Sequence, residues 1–203
     1  MGTNSFDQGL RLIQHLGGVE RPAVLDLFES LGEAEFGEQC VGFIYGDVYH
    51  RPGLTLPERQ LATVGALSAL GYATSQLQFH AKAALKAGCT RQQVLEAINQ
   101  VGSVTEISDA LAAVEEAFAG TEDVPGERPQ LSPKHREIVM IAACTALGTA
   151  VPELKAHLHG LLDVGGTRRE LVETLLHLAF YAGFPAALNA MSAANDVFAE
   201  RSG

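Results

Sequence analysis

Two side chains capable of acid–base chemistry lie four residues apart in the second half of the chain. They are Glu153 and His157. Because a helical turn takes about 3.6 residues, a helix places both on one face, where the carboxylate can orient the imidazole or stabilise its charged form. Such a pair is a candidate general acid–base unit near neutral pH. Helical pairs of this spacing are also common surface contacts, so the spacing alone leaves a purely structural role open.

The chain also repeats itself, without a gap, at an offset of 77 residues. The matched positions include Arg59 with Arg136, His80 with His157, Gly88 with Gly165, and Ala110-Leu111 with Ala187-Leu188. In the first copy, Gln76 takes the place of Glu153. Because an amide carries no charge, we expect His80 to be the weaker catalytic group of the two. A site assembled from both copies, with His80 facing the substrate, is the alternative.

Other side chains have the chemistry of a binding site. Arg51, Arg59 and Arg136 carry guanidinium groups whose fork fits a carboxylate, which predicts substrate binding. Arg59 and Arg136 recur near helix starts, so an ion pair that serves only the fold is an equal alternative for these two. The remaining pocket candidates are polar residues: His50, Tyr181 and Asn189, together with Glu38, Glu106 and Asp109.

The other histidines and the cysteines form no recognisable ligand set. His159 lies two residues after His157 and therefore on another helix face. The histidines without companions at ligand spacing are His15, His135 and His177, so no metal site is predicted. The cysteines are Cys40, Cys89 and Cys144, which form no CxxC pair. An odd number of widely spaced cysteines is typical of small buried apolar residues.

Composition excludes several classes of protein. Of 203 residues, 47% are hydrophobic, which suffices for a core and excludes intrinsic disorder. Lys and Arg number 14 against 24 Asp and Glu, for a net charge of −10, so we expect no nucleic-acid partner. The longest apolar run, residues 138–151, is shorter than the ~17–25 residues that cross a bilayer. The first residues lack a signal-peptide pattern, so we expect a cytoplasmic protein without a membrane partner.

Local signals predict helices and no strand. Each copy contains capping boxes or N-caps at helix starts, and glycines at helix ends: Thr55 to Glu58, Thr90 to Gln93, Ser132-Pro133, Thr167 to Glu170, Gly71, Gly88 and Gly165. These signals predict three helices in each copy. Further helices are predicted before the first copy, at about residues 6–16, 22–31 and 35–49.

The repeat sets the predicted domain organisation. Residues 1–119 hold the N-terminal helices and the first copy, and residues 131–203 hold the second copy. Residues 120–130 are rich in Pro, Gly and charged side chains, which is typical of an exposed linker. We expect the two copies to pack together as one compact unit.

Two segments resemble the carboxymuconolactone decarboxylase family in its tandem-duplicated form. Residues 43–54, FIYGDVYHRPGL, resemble the family segment FGEVWxRPGL, and residues 181–190, YAGFPAALNA, resemble its YAGxPAA segment. The first copy departs from the second pattern and has VTEISD at residues 104–109, so each copy keeps one half of the family signature. The resemblance covers most of the chain. It implies an all-α, alkylhydroperoxidase-D-like helical fold with two repeats.

The resemblance also implies an activity. It implies a cofactor-independent carbon–carbon lyase of aromatic catabolism, which removes carbon dioxide from 4-carboxymuconolactone or a related small lactone or unsaturated carboxylic acid. Glu153 and His157 fall on the family's E-x-x-x-H position, which implies proton delivery by His157 and its orientation by Glu153. Among the arginines, Arg51 is the first choice for binding the carboxylate. Thiol-dependent peroxidase relatives carry cysteines where this chain has Ala150 and Glu153, so a thiol peroxidase is not expected.

Two alternatives to this activity stay open. One is a related tailoring enzyme of secondary metabolism that catalyses dehydration or ring closure, and the other is a non-catalytic oligomeric module. The resemblance further implies an assembly. Because single-copy relatives form rings of six subunits, two repeats per chain imply a homotrimer.

Overall fold

The computed structural model describes residues 5–120 and 130–202, and this part of the chain is helical without a strand. The predicted all-α class is therefore confirmed. No helix within these residues is both long and apolar enough to cross a membrane. Most of the predicted linker, residues 121–129, lies outside the described residues. The chain divides into two compact units, Met1–Pro52 and Gly53–Gly203, so the N-terminal helices form a unit separate from the first copy, with which the sequence grouped them.

The first unit consists of three α-helices and a π-helical segment. The helices are α1 (Ser5–Gly17), α2 (Ala23–Ser30) and α3 (Ala34–Val41), and α3 continues as the π-helix Gly42–Val48. These positions confirm the three helices predicted before the first copy. Helix α1 packs closely on the π-helix because glycines lie where the two backbones meet. A Cβ atom on Gly46 would lie 2.0 Å from the carbonyl oxygen of Ser5.

The second unit contains both copies of the repeat. The helices of the first copy are α4 (Leu56–Leu70), α5 (Thr74–Lys86), α6 (Arg91–Val101) and α7 (Ser108–Ala117). Those of the second are α8 (Pro133–Leu147), α9 (Val151–Asp163), α10 (Arg168–Leu178) and α11 (Phe184–Glu200). The first three helices of each copy keep the offset of 77 residues at both ends. Within residues 53–120 and 130–202 each copy thus has four helices, so the prediction of three was one helix short.

Local capping explains where these helices begin and end. The side chains of Thr55, Thr90 and Thr167 accept hydrogen bonds from the third residue of α4, α6 and α10, in three capping boxes. Ser132 caps α8 in the same way. Gly71 and Gly148 end α4 and α8 at φ angles of 71° and 70°, in the left-handed region that favours glycine.

The central helices α4 and α8 pack against each other and are buried on nearly all sides. Their backbones approach closely at Gly65, where a Cβ atom would lie 2.8 Å from the carbonyl oxygen of Val139. Helices α5 and α6 pack on α4, and α9 and α10 pack on α8. In addition, α10 packs on α4 and α6 packs on α8. The third helix of each repeat therefore packs on the central helix of the other, and Tyr181 of the second copy contacts the ring of His80 in the first.

Candidate active site

The histidine of the second copy forms a hydrogen bond with a carboxylate on the neighbouring central helix. Nδ1 of His157, on α9, lies 2.8 Å from Oε2 of Glu137, on α8. Because a carboxylate only accepts hydrogen bonds, Nδ1 carries the proton and donates it, which leaves Nε2 as the ring nitrogen that faces other partners. The two side chains are 27% and 23% exposed. The pair is therefore both preorganised and accessible.

The partner of His157 differs from the one that the sequence predicted. Glu153 lies in the first turn of α9 and is exposed, and no hydrogen bond joins it to His157 among the described residues. Its negative charge adds to the burial that raises the pKa of the Cys144 thiol. The carboxylate that contacts His157 is therefore Glu137, and a catalytic role for Glu153 stays a prediction. Glu153 and His157 lie one turn apart on the same face of α9. The hydrogen bond of His157 is nevertheless with Glu137, which lies on the neighbouring helix α8.

The histidine of the first copy has the same arrangement with a neutral partner. Nδ1 of His80 lies 2.9 Å from Oε1 of Gln60, on α4. Gln76, the residue at the position of Glu153, is exposed. Gln60 and Glu137 are related by the same offset of 77 residues as the two histidines. The repeat therefore carried the signal for the true partner of each histidine.

His80 is enclosed where His157 is accessible. Only 4% of His80 is exposed, and its ring meets those of Phe79 and Tyr181 edge to face, with centroids 5.0 and 5.2 Å away. Burial lowers the pKa of His80 to about 3, so its imidazole is neutral near pH 7. The partner of His80 is uncharged and its ring is enclosed. Its position therefore does not favour acid–base catalysis.

A second buried histidine, which the sequence did not single out, joins this environment. Nε2 of His177, on α10, lies 2.8 Å from Oγ1 of Thr63, and its ring is 5.1 Å from that of Tyr181. Burial, reinforced by the charge of Arg59 and by His80, holds the pKa of His177 well below its usual value. The equivalent residue in the first copy is Gln100. A comparison of the two copies at this position is therefore the signal that could have identified His177.

The two arginines of the repeat form ion pairs between the copies. Arg59 lies 3.6 Å from Glu173, and both side chains are almost completely buried, at 0% and 4% exposure. Arg136 pairs with Glu96, which also accepts a hydrogen bond from the backbone N–H of Leu131. These contacts favour the structural alternative for both arginines, because each guanidinium already binds a carboxylate of the protein.

The structure gives the other candidates separate positions. Tyr181 lies between the rings of His80 and His177, and Asn189 is exposed on α11. In the first unit Arg51 is exposed, and Nδ1 of His50 donates to the carbonyl oxygen of Tyr45 over 3.0 Å. That Arg51 and His50 bind substrate stays a prediction.

The acidic candidates have other surroundings. Oε1 of Glu106 accepts hydrogen bonds from the backbone N–H groups of Ile107 and Ser108, both at 2.9 Å, and thus serves the start of α7. These bonds lower the pKa of Glu106. Asp109 is exposed in the first turn of α7. Glu38 lies on an open groove of the first unit.

Two of the cysteines are packed as apolar residues. Cys89 and Cys144 are buried, and burial raises the pKa of each thiol to about 11. At neutral pH both are protonated, whereas the thiolate is the form that reacts. Within residues 5–120 and 130–202, no three His, Cys, Asp or Glu side chains group as a metal site would require.

Comparisons with known proteins agree with the fold and the repeat. The model of the carboxymuconolactone decarboxylase family matches the chain twice, over residues 34–119 and 109–196. A 4-carboxymuconolactone decarboxylase of Acinetobacter baylyi (strain ATCC 33305 / BD413 / ADP1) is 44% identical over 71 residues, which are 35% of this chain and 52% of that protein. An uncharacterised 15.0 kDa protein of Paracoccus denitrificans is 35% identical over 74 residues, or 36% of this chain and 55% of that protein. The chain thus spans about half the length of the curated relatives it matches.

A solved structure has the same fold over nearly the whole chain. It is a candidate gamma-carboxymuconolactone decarboxylase subunit of Burkholderia xenovorans LB400, with a TM-score of 0.64 at 20% identity and coverage of 98% of both chains. At this identity the likeness concerns the fold alone. The two matches of the family model together extend over most of the sequence, and the chain belongs to the carboxymuconolactone decarboxylase family.

Proposed function

We propose that this protein is a carbon–carbon lyase that removes carbon dioxide from 4-carboxymuconolactone, or from a related small lactone or unsaturated carboxylic acid, without a cofactor. The observation that carries the proposal is the accessible pair of His157 and Glu137, whose ring nitrogen and carboxylate oxygen are 2.8 Å apart. Membership of the family and the name of the Acinetobacter relative support the decarboxylation.

To decarboxylate such a lactone, the protein has to stabilise the negative charge that develops on the ring and to supply a proton. When the carbon–carbon bond to the carboxylate breaks, its electron pair moves into the conjugated lactone and forms a dienolate. A protonated His157 transfers the proton on Nε2 to the carbon of this dienolate, and a proton from solvent restores the imidazolium. Glu137, bound at Nδ1, holds the ring in place and stabilises its positive charge before the transfer.

In this proposal only the second copy supplies the catalytic residue. His157 acts on the substrate, and Glu137 is a positioning residue that acts through His157. His80 keeps the corresponding place in the first copy, but its neutral partner and its burial favour a structural role. The same reasoning assigns Arg59 to the ion pair with Glu173 and not to the substrate.

We also propose that the protein assembles as a homotrimer. The implied six-fold arrangement of repeats supports this, and so do the large apolar side chains exposed in each unit. They are Leu27, Leu31, Phe36 and Phe43 in the first unit, and Tyr72, Phe184 and Leu188 in the second. Sedimentation velocity at micromolar concentration should show a trimer, and a stable monomer would contradict the proposal.

The activity is tested by incubating the purified protein with 4-carboxymuconolactone and measuring released carbon dioxide and product mass together. The matched control is His159→Asn, a change to a half-buried histidine on the same helix that pairs with Glu200. We expect equal rates of carbon dioxide release from wild type and control. A product formed by loss of water or by isomerisation would instead indicate the tailoring alternative, and binding without any product would indicate a non-catalytic module.

A further inference from the structure

Gly160 lies against the carboxylate that contacts the candidate catalytic histidine. It follows His157 by three residues on α9, and its Cα faces the side chain of Glu137 across the contact with α8. A Cβ atom at this position would lie 2.8 Å from both Cδ and Oε2 of Glu137, and 3.0 Å from Oε1. These separations are shorter than van der Waals contacts between such atoms. The carboxylate therefore occupies the space that any side chain at position 160 would need.

The local conformation of α9 does not require a glycine here. Gly160 lies within the helix Val151–Asp163, and its φ angle is not positive. Inside a helix, glycine destabilises relative to alanine because it loses more backbone entropy on folding. A glycine at this position therefore has its explanation in what packs against it.

The first copy differs at both positions of this contact. The residue equivalent to Gly160 is Ala83, which is fully buried, and the residue equivalent to Glu137 is Gln60. The copy with the carboxylate thus has the glycine, and the copy with the amide has the larger residue. The two positions therefore change together between the copies.

We propose that Gly160 is a positioning residue, which leaves the room that Glu137 needs to bind Nδ1 of His157. A methyl group at position 160 displaces the carboxylate, and the partly exposed side chain of Glu137 can move towards solvent. His157 then loses the partner that fixes its tautomer and its charge. The catalytic consequence rests on the proposed function, whereas the geometric consequence does not.

The geometric claim is tested by ¹⁵N NMR of the full-length protein labelled at its histidines. The ring nitrogens report how far the proton sits on Nδ1 or Nε2. The spectra are compared at a pH high enough for the ring to be neutral, where it carries a single proton. Under that condition His157 should be predominantly in the Nδ1–H form in wild type, and both Gly160→Ala and Glu137→Ala should shift it towards the Nε2–H form by a similar amount. Combined, the two changes should give no further shift, because each removes the same contact. A spectrum of Gly160→Ala that matches wild type would overturn the proposal.

Two controls separate this effect from a general change in the helix. Ala83→Gly makes the reciprocal change in the first copy and should leave the His157 signals unchanged. Thermal melting of Gly160→Ala should show a folded protein, since alanine favours the helix. Should that variant not fold, Gly160→Ser must give the same ring shift, and a wild-type spectrum there would count equally against the proposal.

Activity distinguishes this inference from the function on which it rests. If both are correct, Gly160→Ala lowers kcat for carbon dioxide release by about tenfold, a typical effect of losing one charged orienting contact, with little change in KM. If the ring shifts as expected but the wild-type protein releases no carbon dioxide, the geometric inference stands and the proposed function fails. A large fall in kcat without any ring shift would contradict Gly160 as a positioning residue.

Discussion

His80 and His157 occupy the same place in two copies of one helical repeat, but their surroundings differ in charge and access. Each Nδ1 contacts the side chain that precedes it by twenty residues, on the central helix of its copy. One partner is a buried, uncharged amide, and the other is a carboxylate near solvent. A repeat can therefore keep the geometry of a site while its two copies differ in charge and access, and we propose that the chemistry belongs to the second copy. The following predictions test this division, from the largest expected effect to the smallest.

The strongest contrast concerns the ion pairs between the copies. Replacing Glu173 by alanine leaves the guanidinium of Arg59 without its carboxylate in a fully buried place. We expect a loss of about 3–5 kcal/mol in the free energy of unfolding. The matched change, Glu96→Ala, removes the partner of Arg136, whose side chain is 38% exposed. There we expect about 1 kcal/mol, since solvent screens the pair.

Urea denaturation at neutral pH measures both changes. The difference between the two variants is the informative quantity, because both remove the same chemical group. Equal losses would show that the two ion pairs are energetically alike despite their different burial, and would contradict the expected contrast between the buried pair and the accessible one.

The pH dependence of stability should reveal the buried histidines. The pKa of His80 is lowered from 6.5 to about 3 by burial, and that of His177 is lowered as well. Between these values the unfolded chain binds protons that the folded chain does not, so stability falls as pH decreases from about 6.5 towards 3. Each histidine contributes up to roughly 1.4 kcal/mol per pH unit.

His80→Gln should make this slope shallower. Urea denaturation at several pH values between about 4 and 7 measures it. The matched control is His157→Gln, which changes an accessible ring and should leave more of the pH dependence in place. An unchanged slope in His80→Gln would mean that His80 takes up a proton in the folded protein as easily as in the unfolded chain.

Exchanging the partners of the histidines gives a smaller effect on catalysis. Glu137→Gln makes the second copy resemble the first and removes the charge beside His157. We expect kcat for carbon dioxide release to fall by about tenfold to a hundredfold, which corresponds to ~1.4–2.7 kcal/mol. KM should change little, because Glu137 acts through His157 and not on the substrate.

The reciprocal change Gln60→Glu is the control for this exchange. It places a carboxylate beside the enclosed His80 and should leave kcat within about twofold of wild type among folded molecules. An increase in kcat would indicate that the first copy also turns over substrate once it has a charged partner.

The sequence predicts the helices well because their signals are local. Thr55 with Glu58 and Thr167 with Glu170 mark helix starts within four residues, and the repeat doubles each of these signals. The fourth helix of each copy was missed, because neither α7 nor α11 has a side-chain cap at its start. The division after Pro52 depends on packing between helices, which no local pattern reports.

The candidate site was predicted only in part because its contacts are not local. Sequence spacing identified His157 but paired it with Glu153, one helical turn away, whereas the contact with Glu137 crosses between two helices. His177 and Thr63, a buried pair, are 114 residues apart in sequence and belong to different copies. Such contacts follow from how α9 packs on α8 and how α10 packs on α4. A comparison of the copies position by position shows Glu137 against Gln60, and this difference is the signal that spacing alone did not give.

The central claim is that the second copy carries the chemistry, and paired histidine substitutions test it most directly. Carbon dioxide release from 4-carboxymuconolactone is measured for His157→Asn and His80→Asn, with each rate divided by the folded fraction from circular dichroism. We expect His157→Asn to lower kcat by ~10²–10⁴-fold, the usual range for loss of a positioned acid or base. His80→Asn should cost less than about tenfold per folded molecule. Equal losses would mean a shared or duplicated site, and a larger loss at His80 would contradict the account by moving the catalytic residue to the first copy.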